Sequence, residues 1–103
     1  MPSQDNQIYQ TMRGKLTEEI KMYSQQKMGY EISERELRLM PYIQHQMMNE
    51  QRIDPNRINQ EEREILSKWR KAGYIEGGAS GLAITKEFWD NICEICFMGY
   101  VID

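Results

Sequence analysis

Residues 69–90 read WRKAGYIEGGASGLAITKEFWD. A basic segment ends at Gly73, small residues fill positions 77–81, and Leu82 and Ile84 alternate with Ala83 and Thr85 before a second amphipathic stretch begins. Alternation of period two is a strand signature, and glycine supplies the positive φ that tight turns require. The stretch therefore reads as a helix end, then two short strands ("YIE" and "LAIT") about the turn "GGASG", then a new helix capped by Thr85. That last helix is expected to reach about Met98, with Gly99 as its stop. The tail Tyr100, Val101, Ile102 then adds a strand or docks on the core.

The helix leading into this unit opens at Asn59, whose side chain with Glu62 three residues on forms a capping signal. It is acidic at its start (Glu61, Glu62, Glu64) and basic at its end (Lys68, Arg70, Lys71), as the helix dipole favours. Ile65, Leu66, Trp69 and Ala72 form its apolar stripe. Before it, "RIDPNRIN" is a connector in which Asp54 caps a single turn begun by Pro55.

Further upstream, Ser33 and Glu36 make a capping box, and Ile32 can staple onto Leu37 across it. The apolar set Leu37, Met40, Ile43, Met47, Met48 continues this helix, and Leu39 and Tyr42 give it a second buried face. Pro41 lies inside it, where a missing donor and a steric clash predict a kink or break. Ile8, Met12, Leu16, Ile20 and Tyr23 share one helical stripe, so residues 6–29 are expected to hold an N-terminal helix with Gly29 as its stop. Gly14 costs that helix about 1 kcal/mol. Thr17, followed by Glu18 and Glu19, offers a later start, and residues 1–5 are expected to fray.

At 103 residues the chain is expected to form one domain, with residues 30–103 as its helical core and hairpin. The expected class is α+β, predominantly α: four helices with a small β-hairpin. A net charge of −3 argues against tight sequence-independent nucleic-acid binding, which needs cations to displace counterions. No apolar run is long enough to cross a membrane, and "MPSQDNQIYQ" has neither the basic nor the apolar region of a secretory leader. With only two cysteines, a disulfide scaffold is not expected, and a reducing cytoplasm is.

The order helix, "GYI", glycine-rich turn, "LAIT", helix over residues 59–98 resembles winged-helix domains. The resemblance implies a winged-helix-like C-terminal half in which the helix before the hairpin meets the DNA major groove. Arg63, Ser67, Lys68, Arg70 and Lys71 are then the contact candidates, with Ser80 and Lys86 near the wing. The charges depart from that pattern. Three glutamates occupy the start of the helix, "GGASG" carries no cation for phosphate, and "IDPNRI" is too short for a full positioning helix. The same face then suits a protein partner, with DNA as the alternative.

Other chemistry fails on spacing. Gly77, Gly78 and Gly81 fit neither the phosphate-loop nor the dinucleotide pattern. Cys93 and Cys96 form a C-x-x-C deep within a helix, among Phe88, Trp89, Ile92 and Phe97, and so read as core. With His45, the only histidine, they fall one short of a zinc set. Adjacent acids such as Glu18/Glu19 point apart on a helix. No enzyme, metal or cofactor is expected. The N-terminal stripe packs on its own domain in this reading, although a homodimer uses the same spacing.

Overall fold

The computed structural model describes residues 14–101. Helix α1 (Glu18–Met28) starts where the Thr17 hydroxyl accepts the Ile20 N–H at 3.2 Å. It ends at Gly29, left-handed at φ 84°. Within the described part of the helix expected over 6–29, the chain is helical only from Glu18. Gly14 sits at φ 70° and Lys15–Thr17 are not helical, so the stripe enters α1 only at Ile20. Residues 1–5, expected to fray, and Ile8 and Met12 lie outside the described residues.

Helix α2 (Glu34–Asn49) carries the capping box expected of Ser33 and Glu36, and Ile32 and Leu37 are both buried beside it. Pro41 does not break this helix, which runs on to Asn49. The carbonyl left without Pro41's donor is that of Leu37, four residues back. It accepts the Tyr100 hydroxyl at 3.4 Å. After α2 the chain turns sharply through Gln51, which is left-handed at φ 58°.

The connector then meets the hairpin from outside. The Leu82 N–H donates to the Gln51 carbonyl at 2.7 Å, and the Ile53 N–H to the Gly78 carbonyl at 2.8 Å. Asp54 caps a 3₁₀ turn, Pro55–Arg57, as its sequence predicts. Helix α3 (Gln60–Lys71) opens on the Asn59/Glu62 box and buries Leu66 and Trp69. Ile65 is only half-buried and Ala72 is exposed, so the buried stripe is narrower than the sequence implies.

Strands β1 (Ile75–Gly78) and β2 (Gly81–Ile84) pair antiparallel, Ile75 opposite Ile84 and Gly78 opposite Gly81. Glycines expected in the turn therefore belong to the strands, and the turn itself is Ala79–Ser80. Gly77 has φ 80°, and a β-carbon there would run into the Gly81 carbonyl. This position admits no side chain.

Helix α4 (Lys86–Cys96) is capped by Thr85, whose hydroxyl accepts the Phe88 N–H at 3.1 Å. It passes into a π turn, Phe97–Val101, rather than stopping at Gly99. Gly99 is buried against Leu37 and Ile20, and a β-carbon there would stand 3.2 Å from Leu37 Cδ1. Its role is close packing. The Gly14 N–H donates to the Gly99 carbonyl at 3.0 Å, so the start of the described chain is bonded to its last turn.

One core joins these elements. Ile20, Leu37, Met40, Ile43, Ile92 and Ile95 are all fully buried, α2 packing on α4 with α1 beside them. Trp69 meets Phe88 edge-on at 5.0 Å between ring centroids, and Tyr74 stacks on Phe88 at 4.7 Å. These three rings form an aromatic cluster between α3, the hairpin and α4. Phe97 is exposed, and Tyr100 packs against α2 instead. Among the described residues the fold is a small, predominantly helical α+β arrangement of four α-helices and one two-stranded hairpin. Between α2 and α3 there is only the 3₁₀ turn, where a winged-helix domain has a positioning helix.

Candidate functional site

Helix α3 presents its cations in two directions. Arg63, Ser67 and Arg70 are spaced for one helical face, the face toward the 3₁₀ turn and the hairpin. Arg63 Nη2 donates to the Pro55 carbonyl at 3.2 Å, and Arg70 Nε to the Gly77 carbonyl at 2.7 Å. Between the two guanidiniums lies a cleft of about 240 Å³. Pro55 and Ile58 form one wall, Leu66 the floor, and Ala79 of the hairpin turn the other wall. No Asp or Glu lines it.

Lys68 points the other way, along the surface toward Glu36 and Tyr30, with half of its side chain still exposed. Its ammonium lies 3.4 Å from Glu36 Oε2 and 3.9 Å from the centroid of the Tyr30 ring. Glu36 is 3% exposed, so its carboxylate needs full compensation. It has it: Oε1 accepts the Ser33 N–H at 2.9 Å, and Oε2 accepts the Tyr30 hydroxyl at 2.6 Å and the Trp69 indole at 3.2 Å. Burial, and after it the bond to Glu36, hold the Tyr30 phenol well above its ordinary range. Glu36 is thus a buried knot tying α2 to α3. Its sequence position discloses the cap but not the second oxygen's partners, which come from Tyr30 and from the far side of the core.

The remaining candidates are scattered. Lys71 is exposed at the end of α3, and Ser80 is exposed at the hairpin turn. Lys86 pairs with Asp90 along α4 at 3.1 Å, away from Arg63 and Arg70 in the chain and in its bonding. Sequence reasoning missed Pro55, Ile58 and Ala79 as lining. Nothing in "IDPNRI" or "GGASG" signals that a 3₁₀ turn and a hairpin tip face each other across α3.

The other chemical groups are arranged for packing. Cys96 is buried, and burial together with the neighbouring Cys93 pushes its thiol up to about 12. The Gln44 amide donates to Cys93 Sγ at 3.5 Å. His45 is exposed, its Nδ1 3.2 Å from the Asn49 amide on the same helix. Among the described residues no group of three or more His, Cys, Asp or Glu side chains converges as a metal set would. Nor is any helix long and apolar enough to cross a membrane. Comparisons with known protein families, with curated proteins and with solved structures find no match to this chain.

Proposed function

We propose that this chain is a non-enzymatic interaction module of the cytoplasm with a regulatory role, and that it acts by binding a protein partner. The observation that carries the reading is the face shared by Arg63, Ser67 and Arg70, where an apolar cleft opens between two guanidiniums. Arginine beside a desolvated apolar pocket is the composition on which protein interfaces concentrate their affinity. Nearby, Glu61, Glu62 and Glu64 keep the opening turns of α3 acidic, which suits a protein surface better than a phosphate backbone.

A winged-helix DNA regulator is the second reading. Its support is the order helix, hairpin, helix, with Lys71 exposed beside Arg70. The hairpin turn Ala79–Ser80, however, offers no cation to a groove.

Affinity capture with the tagged chain separates the two, run with and without nuclease and repeated with Arg63→Glu and Arg70→Glu combined. A protein recovered in both nuclease conditions and lost with the double variant supports the interaction module. Recovery that disappears with nuclease, in proportion to Lys71 as well as Arg70, establishes DNA binding and overturns the first reading.

A further inference from the structure

The arginines of the described chain fall into two groups. Arg35 meets Glu61, Arg38 meets Glu34, Arg52 meets Glu50 and Arg57 meets Asp54, each within 4.0 Å. Arg63 and Arg70 meet no carboxylate among the described residues, although the chain as a whole has an excess of acids. Each is instead held by a backbone carbonyl: Pro55 for Arg63, Gly77 for Arg70. A guanidinium has five N–H donors, so a single bond to a carbonyl fixes its direction and leaves the rest of the fork available. Both are therefore oriented in advance, which lowers the ordering cost of meeting an anion. Between them the cleft is apolar, with Leu66 as floor and Ala79 and Ile58 as walls.

We propose that this cleft receives one apolar side chain of a partner's peptide segment, and that Asp or Glu residues flanking that side chain pair with Arg63 and Arg70. The inference rests on the protein-partner reading above and adds the chemistry of the segment. Charge complementarity selects the flanks, because two guanidiniums without a carboxylate among the described residues repel a basic segment and gain nothing from a neutral one. The apolar lining selects the anchor.

The test is selection of random displayed peptides against the wild-type chain, followed by affinity measurement on synthetic copies of those enriched. The expected consensus is an apolar residue with acidic residues on either side. Arg63→Glu should weaken these peptides at least about tenfold, the ratio expected when an interfacial charge pair becomes a repulsion. Ala79→Glu, an exposed turn substitution that leaves the core untouched, should do the same by placing a carboxylate at the mouth. Lys86→Glu should leave affinity unchanged. Enriched peptides without acidic flanks, or indifferent to both Arg63→Glu and Ala79→Glu, overturn the proposal. If such peptides are still lost on Lys71→Glu, the protein-partner reading survives and only the cleft is wrong. No enrichment at all, with nuclease-sensitive capture, removes both.

Discussion

The Tyr100 hydroxyl bonds the Leu37 carbonyl that Pro41 leaves without a helical donor. A proline in mid-helix normally costs about 3 kcal/mol, and part of that cost is the orphaned acceptor. Here the chain's C-terminal turn supplies the missing hydrogen from 63 residues away in sequence. At 3.4 Å the bond is long, so Tyr100→Phe should destabilise by about 0.5 kcal/mol, the low end for a net hydrogen bond. In a Pro41→Ala background, where residue 41 again donates to Leu37, the same change should be close to neutral. A double-mutant cycle by denaturant unfolding reads the coupling directly, and additive effects would show that the two residues act independently.

Glu36 should be one of the costliest polar positions to change. Glu36→Gln retains the shape and weakens bonds to Tyr30, Trp69 and Lys68 together, so a loss of about 2 kcal/mol is expected from the charge-assisted bonds. Chemical denaturation at neutral pH provides the comparison. A surface-like effect of a few tenths would contradict the buried knot.

The Tyr30 phenol predicts how stability falls in alkali. Its folded-state pKa is raised above the ordinary 10.0, so the folded chain holds the proton more tightly than the unfolded chain does. The sign follows from linkage: this contribution is fully present below pH 10.0, and it is lost as pH rises from there through the folded-state value. Tyr30→Phe removes the titration. The variant should be less stable at neutral pH, where Glu36 has lost a donor, yet show a shallower decline above pH 10.0 than the wild type. Parallel stability–pH curves would contradict this.

Two left-handed positions should respond in opposite directions to substitution. Gln51 adopts φ 58° without being glycine, a conformation that costs an ordinary residue about 1–2 kcal/mol. Gln51→Gly should raise stability by about 0.5 kcal/mol, after the greater freedom of unfolded glycine is subtracted. Gly77→Ala should lower it by several kcal/mol, because the new methyl must displace the Gly81 carbonyl across the strand pair. Thermal melts of the two variants, one above and one below wild type, check both.

Thiol chemistry should discriminate the two cysteines. With its pKa pushed up to about 12, Cys96 holds almost no thiolate near neutrality. Iodoacetamide should label Cys96 in the folded chain far more slowly than in denaturant, and mass spectrometry of the digest locates the adduct. Rapid native labelling at Cys96 would mean that α4 opens readily.

Local signals in the sequence carried most of the architecture. Ser33 with Glu36, Asn59 with Glu62, Asp54 before Pro55 and Thr85 all cap where their side chains predict, because caps depend on neighbours within a few residues. What stayed hidden depended on distant partners. Pro41 predicts a break unless Tyr100 is known to lie against it, and Gly99 reads as a stop until Leu37 is found beside it. For the same reason the cations of α3 look like one patch in sequence. Glu36 withdraws Lys68 from that patch, while Pro55 and Gly77 turn Arg63 and Arg70 toward a cleft.

The bond between Gly14 and Gly99 also governs how the fold can be handled. Because Gly14 opens the described region and Gly99 lies two residues before its end at Val101, the two ends of that region lie close together. A pair of fluorophores placed there would start in close proximity and separate on unfolding. Gly14 could equally be joined by a short linker to a point after Val101, which keeps Tyr100 in place, and the ring reopened at the exposed Ala79–Ser80 turn, which would carry new termini to the mouth of the cleft.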